Sequence, residues 1–558
     1  MFSLQNSKLD WKYKSEKSKT ACLGMDNEVC VFPRGKGLGG TSLLNAMLYV
    51  RGNPEDYNEW ESLGNEGWNY ENVLEYFKKS ENLHEDFTLV NDTNYEKHMK
   101  RLRKSFKDNE EKVYELSKMV PGAYHSQGGY LSVNHYAYDF VHSYLKKIYC
   151  DAVEELDVPC VSDINGKSQI GFAHALGTVW EGERASTAKM FLKPIKDRKN
   201  LFVVKKALVQ KLIMEGDQVV GVEFKRNNET HVVRATKEVI VSGGSTNSPQ
   251  LLMLSGIGPK DHLQEHEIDV VRDLPGVGEN LQDHMIFFAN LISIEKGKSE
   301  PMTNLQKMDA IYEFLTRGTG LFATLGMTDI IGFVNTKNES EIPDIQFHNI
   351  LSPVQDTYFF NEILVSLGVK RDIHDQIVKF VSESNVLGIA PTLLRPKSRG
   401  KIELRSSDPN DPPKIIHNFL SEQEDIDTLI RGIRFAEKIT KTESFQKLNP
   451  EWLRIQIPEC DDFKFQSDKY YECQLRHLAS SLYHPVGTCK MGPESDPLAV
   501  VDNRLKVHGI KNLRVADASI MPIIVRGNTN APAIMIGEKA ADLIKEDWSK
   551  SSALHTEL

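Results

Sequence analysis

Closely spaced glycines in PRGKGLGGTSLLNAMLYVRGNPEDY, Pro33 to Tyr57, constrain this chain more than any other feature. An apolar run, Val29 to Phe32, leads into them, and a helix-like pattern from Leu43 to Val50 follows. Gly35, Gly37 and Gly40 satisfy the G-x-G-x-x-G spacing of a dinucleotide-binding turn, with an acidic pair, Glu55 and Asp56, about twenty residues on. A ribose-binding acid, however, should end a second apolar strand. Here the pair sits in the polar run PEDYNEW with no strand before it, so the simple Rossmann reading is rejected.

A chain of 558 residues can bury a large core and predicts two or more domains. Its net charge of -10 argues against nucleic acid, because phosphate binding needs clustered cations. The basic stretch Lys97 to Lys112 is balanced by nearby acids and reads as a solvated helix face. No apolar run reaches the length of a membrane span. The N-terminus has no apolar core of signal-peptide length, so the chain as written would stay in the cytosol. Among seven cysteines, Cys22 and Cys30 lie close, as do Cys460 and Cys473, and each pair could close a short loop. Cys150, Cys160 and Cys489 have no obvious pairing, and the odd total leaves one thiol over. Asn91, Asn228 and Asn338 each begin an N-x-S/T acceptor.

Helical spacing marks ENVLEYFKKSE and YDFVHSYLKKIYCDAVEEL, separated by a charged, loop-like insert from Glu85 to Val120. Short β-type runs follow: LFVV, LVQKLIM, QVVGVEF and THVVRATKEVIV. From residue 285 to about 390, short helices alternate with strands such as IIGFV. RPKSRGKIELRSSDPNDPPKI reads as a strand between turns, and FLSEQEDIDTLIRGIRFAEKI as an amphipathic helix capped by Ser421. NLRVADASI has a buried-strand pattern, and a final helix is expected from about Ala531 to Lys545.

Four further segments carry candidate chemistry. GGSTNSPQLLMLSGIGP, Gly243 to Pro259, is either an anion-binding strand-to-helix turn or a bare packing turn. LPGVGENLQDH contains Asp283 and His284, but no ligand cluster accompanies them; a structural hydrogen-bonding role is favoured and no metal is predicted. In SSLYHPVGTCKMG, His484 sits in a Pro- and Gly-rich loop that can aim an imidazole able to accept a hydroxyl proton. In IMPIIVRGNTNAPAIMIGEKAADLI, Asn528 precedes the last helix; its amide suits a helix cap and donation to a developing alkoxide, and both roles can hold together.

These segments together resemble the glucose–methanol–choline (GMC) flavoprotein oxidoreductases, over nearly the whole chain from about Trp11. The resemblance implies that Gly39, Gly40, Thr41 and Ser42 approach a flavin ring closely, where a larger side chain would hold the backbone away. It implies that Asn45, Ala46, Met47 and Leu48 continue that contact at the start of a helix. His484 matches the catalytic base and Asn528 its partner, Thr529 adjoins the cofactor, and Asp517 matches a residue near the ribityl chain. GERASTAKMFLKP precedes Val209, which matches a valine whose backbone meets the adenine; an internal strand valine explains Val209 equally well. The covalent-flavin histidine of some members falls at Leu44, so FAD would be held non-covalently.

The implied fold is α/β with an α+β second domain. A GMC-type FAD-binding domain (1–67, 161–287 and 498–548) would join a substrate domain (68–160 and 288–497) built on an antiparallel sheet with flanking helices. The family's first βαβ unit, which carries its true G-x-G-x-x-G, is expected to be missing, as in an incomplete gene model or variant transcript. The implied activity is FAD-dependent oxidation of a CH–OH donor, a small alcohol, sugar or sterol, with the electron acceptor unassigned. Lyase chemistry is also known on the scaffold. The alternative is a non-catalytic relative, or a truncated product unable to hold FAD. Insect glucose-dehydrogenase-like members look similar at both close cysteine pairs, which implies an extracellular location.

Overall fold

The computed structural model describes residues 4–84, 124–136, 140–295, 303–325, 328 and 330–554. The charged insert, the Lys97–Lys112 stretch and Asn91 lie outside the described residues. Two short strands, β1 (Tyr13–Lys14) and β2 (Val31–Phe32), pair antiparallel and lead to the glycine turn. Gly39 and Gly40 adopt φ of +97° and +53°, a left-handed path open to glycine without strain. They start a short 3-10 turn, Gly40–Leu43.

The helix expected over Leu43 to Val50 does not form. Leu48 bridges to Gly177, and the Tyr49 N–H donates to the Leu176 carbonyl at 2.7 Å, so backbone groups that a helix would use are spent on another segment. Helix α1 (Pro54–Ser62) begins only at Asn53, through a capping box with Asp56. Asp56 is buried and also holds Arg526, so the acidic pair serves helix capping and packing.

Helices α2 (Tyr70–Ser80) and α3 (Phe140–Glu154) follow the predicted periodicity. Beyond the short strand β3 (Gly171–His174), the run LFVV forms no strand; Phe202 stands 85% exposed. Strands β4 (Leu208–Glu215), β5 (Gln218–Arg226) and β6 (Glu229–Arg234) make an antiparallel sheet. Strand β7 (Val239–Val241) feeds α4 (Gly244–Leu254).

The second half is dominated by an antiparallel sheet. Its strands include β8 (Met285–Phe287), β9 (Leu291–Ile294), β10 (Ile330–Val334), β11 (Ile345–Ser352) and β12 (Asn385–Leu393). Side chains alternate along β11, so Gln346, His348 and Ile350 share one face. Helix α5 (Gln423–Lys441) covers the sheet, and Gly432 permits the close approach: a Cβ there would come within 2.9 Å of Pro391 Cβ. Ser421 does not cap it; the N-cap is Glu422, without a side-chain bond. Beyond the two-residue β13 (Glu451–Trp452), β14 (Ala479–Ser481) pairs with β8. Strand β15 (Leu513–Val515) pairs in parallel with β7, and α6 (Asn530–Leu554) closes the chain, longer than expected.

One apolar cluster runs continuously from Phe32 through Phe347 and Leu429 to Val515 and Met535. Three disulfides close short loops: the two expected pairs and Cys150–Cys160, which sequence spacing left unpaired. Cys489 is buried and free. Cys460 and Cys473 approach His477, but their sulfurs are bonded to each other and offer no thiolate to a metal. Asn228 and Asn338 sit on exposed turns. Among the described residues no helix is long and apolar enough to cross a membrane.

Candidate active site

Strand β8 begins just after Asp283 and His284, and that stretch holds the HPVGT loop. Gln282 and Val486 exchange backbone hydrogen bonds of 3.1 and 2.9 Å. The Asp283 carboxylate accepts from the His484 backbone N–H at 2.8 Å and from the Ser481 hydroxyl at 2.5 Å. The Thr488 hydroxyl donates to the Ser245 carbonyl, tying the loop to the start of α4. Pro485 fixes the backbone beside His484, and with these bonds the His484 ring is aimed at a cavity of about 720 Å³.

That cavity brings together most of the predicted residues. Gly39 to Ser42, Leu44 to Leu48, Asp517, Asn528 and Thr529 all line it, with His484. Val209 does not; it lies on β4, partly exposed. The GERASTAKMFLKP segment braces the glycine turn: the Thr187 N–H donates to Ser42 Oγ at 3.1 Å, and Arg184 donates to Asn45 Oδ1 at 2.7 Å. Gly243 and Gly244 line the cavity at the N-terminus of α4, which resolves that segment as a cavity wall. Asp517 accepts from the Gly244 N–H, the Ser248 hydroxyl and the Ser519 N–H, at 2.9, 2.5 and 2.7 Å.

Asn528 is not spent on capping α6. Its Oδ1 accepts from Gln346 Nε2 at 3.0 Å, and its Nδ2 lies 3.3 Å from His484 Nε2. On the other side of the ring, His484 Nδ1 is 2.9 Å from His284 Nδ1. Burial pushes the His484 pKa well below its ordinary value, and the neighbouring His284, His348 and Arg34 push the same way. Burial takes His284 down to about 3 and His348 to about 4. All three imidazoles are therefore neutral near pH 7. Burial also lifts the Asp283 carboxyl to about 7, against the bonds from Ser481 and His484.

The chain's own geometry fits a flavin. A Cβ built on Gly40 would meet nothing within 4 Å, and one on Gly244 would meet only an Arg34 nitrogen at 3.9 Å, so both glycines face open space. Helix α4 points its N-terminus at the same cavity, where backbone N–H groups favour an anion. Leu44 in the wall offers no nucleophile for a covalent link.

Residues 16–286 and 396–537 each match the GMC oxidoreductase family. This chain belongs to the GMC oxidoreductase family. It is accordingly a flavin-dependent oxidoreductase of CH–OH groups with FAD as its cofactor. It is 37% identical over 548 residues to glucose dehydrogenase (FAD, quinone) of Drosophila pseudoobscura pseudoobscura, covering 97% of this chain and 79% of that protein. It is 35% identical to ecdysone oxidase of Bombyx mori, covering 98% of this chain and 75% of that protein. An FAD-dependent oxidoreductase from Chaetomium thermophilum shares the fold with a TM-score of 0.77, at 23% identity over 97% of this chain and 91% of that one. The expectation that the nucleotide-binding unit is missing finds no support: the family match starts at residue 16, and β7 keeps a parallel partner in β15.

Sequence reasoning overlooked Gln346 and His348 and gave His284 only a structural role. Gln346 meets Asn528 and His284 meets His484 across more than a hundred residues, separations that no local motif signals. The QDH triplet preceding β8 was the one available hint.

Proposed function

We propose that His484 removes the hydroxyl proton of an alcohol, sugar or sterol in this cavity while Asn528 donates a hydrogen bond to the developing alkoxide. The observation that carries this is the 3.3 Å approach of Asn528 Nδ2 to His484 Nε2 beside the Gly39–Leu48 wall. A neutral imidazole has a lone pair to take a proton, and two hydrogen-bonding groups at one point fix the hydroxyl between them. FAD, when bound, supplies the acceptor for the hydride leaving carbon. Gly39 to Ser42 and Asn45 to Leu48 would hold it, with Asp517 and Thr529 nearby. The Ile286, Phe288 and Ile350 side chains in the wall exclude water from the reacting end.

The division into an FAD-binding part and a substrate part with the boundaries given above belongs to the same proposal. So does placement in the glucose-dehydrogenase-like branch, supported by the 37% relative, whose name and that of ecdysone oxidase span sugar and sterol substrates. Three disulfides support an oxidising, extracellular compartment.

In the FAD-loaded enzyme, His484→Ala should slow flavin reduction by alcohol about 10²- to 10⁴-fold, read by stopped-flow absorbance. An unchanged reduction rate overturns the assignment.

A further inference from the structure

His484 can act as a base only if its Nε2 is unprotonated, and the hydrogen bonds around it allow two arrangements. In the first, Gln346 Nε2 donates to Asn528 Oδ1, and Asn528 Nδ2 donates to His484 Nε2. The ring proton of His484 is then on Nδ1, where it is donated to His284 Nδ1. His284 must carry its own proton on Nε2. In the second, both amides are turned over and every bond reverses. His484 then holds its proton at Nε2, facing Asn528, and has no lone pair there.

The surroundings favour the first arrangement. His284 Nε2 is buried and makes no well-formed hydrogen bond, yet the backbone at Leu394 and Val525 favours a proton on that ring. Gln346 Oε1 is also buried without a partner. The first arrangement leaves one His284 ring N–H against the Leu394 and Val525 backbone and one Gln346 carbonyl oxygen unpaired, whereas the reversed one would bury both N–H groups of the Gln346 amide unpaired, the greater cost. Among the described residues, the ring nitrogens of His484 bond to no titratable group but His284. Those facing His484 are His284, His348 and Arg34, and Asp283 binds its backbone N–H rather than its ring.

We propose that Gln346 and His284 are positioning residues, the two ends of a four-residue hydrogen-bond chain that keeps His484 Nε2 unprotonated. This rests on the proposed role of His484 as base. It adds that the histidine in the QDH triplet and a glutamine on β11 decide whether that base is ready before substrate arrives.

The test is the ¹⁵N spectrum of the histidine-labelled protein, recorded without substrate. His484 should show a proton-bearing Nδ1 and a lone-pair Nε2. His284→Phe removes the acceptor and should mix or reverse that pattern, while His284→Asn, which returns an acceptor near the Nδ1 position, should restore it. In the FAD-loaded enzyme, His284→Phe should lower kcat at least about tenfold with KM within about twofold, and His284→Asn should recover most of the rate. Should His284→Phe lose its cooperative melt, Gln346→Leu reads the same tautomer from the other end of the chain. A wild-type His484 protonated at Nε2 overturns the proposal, as does a tautomer that neither replacement shifts. Because the tautomer is read without turnover, failure here differs from an active His484→Ala enzyme, which would instead remove the base assignment.

Discussion

Asp283 carries a cost that pH exposes. Its carboxylate accepts from Ser481 and from the His484 backbone, yet burial lifts its pKa to about 7, against 3.8 unperturbed. Between those values the folded protein keeps a proton that the unfolded chain releases. The associated stability is therefore complete below about pH 4 and is lost as pH rises through about 7. Asp283→Asn keeps an acceptor for the His484 N–H and cannot ionise. Its melting temperature relative to wild type should rise between pH 5 and pH 8, whatever the fixed cost of the replacement. Paired thermal melts at the two pH values check this, and a pH-independent difference would refute it. At this scale the sequence was partly legible. His484 announces itself through its Pro- and Gly-rich loop and Asn528 through its place before the last helix. Asp283 and His284 sit in a segment whose neighbours say nothing about what lies across the cavity, 200 residues away for His284 and His484.

Periodicity found α2 and α3 because each buries one face and spends its backbone internally. It failed at Leu43 to Val50, where an apolar, helix-compatible run donates its backbone to Leu176 and Gly177. That extended segment continues into a buried ionic clamp. Arg51 Nη2 lies 2.9 Å from Glu81 Oε2, and His125 bridges Glu81 and Asp163, with Nδ1 and Nε2 each 2.9 Å from a carboxylate. Burial alone would lower the His125 pKa, but the bonds to Asp163 and Glu81 prevail and raise it. Two ring nitrogens each facing a carboxylate favour the imidazolium. With the folded pKa above the unfolded 6.5, the clamp's contribution is complete below about 6.5 and is lost as pH rises through the folded value. His125→Gln should cost about 3 kcal/mol at pH 6 and progressively less at alkaline pH, because only the wild type loses its charge. Denaturant midpoints from pH 6 to 9 measure it; a constant difference would show that His125 is neutral throughout.

At the scale of the whole molecule, the cavity is assembled from segments near residues 40, 244, 348, 484 and 528, and that convergence is a property of topology that motifs alone do not state. Family resemblance supplied it, and the large core running from Phe32 to Met535, with a second buried cluster behind Leu48, explains how it is held. The cysteines show the same limit: proximity in sequence exposed two pairs, whereas Cys150–Cys160 depends on where α3 ends relative to β3. The two expected disulfides have a position in common. Cys22–Cys30 closes a loop whose Leu23 and Gly24 N–H groups donate to the carbonyls of Arg476 and His477. Cys460–Cys473 fastens the helix Asp468–Leu478, which runs directly into β14 and the His484 loop. Both therefore brace the segment that carries His484, while Cys150–Cys160 ties α3 to the chain that pairs with Phe172 of β3. Replacing either bracing pair by serines should lower stability by about 2–3 kcal/mol and also slow flavin reduction. Cys150→Ser with Cys160→Ser should lower stability by a similar amount and leave reduction unchanged. Denaturant midpoints and stopped-flow reduction of the three double variants separate the cases, and equal reduction rates across all three would show that the disulfides hold the fold without aiming His484.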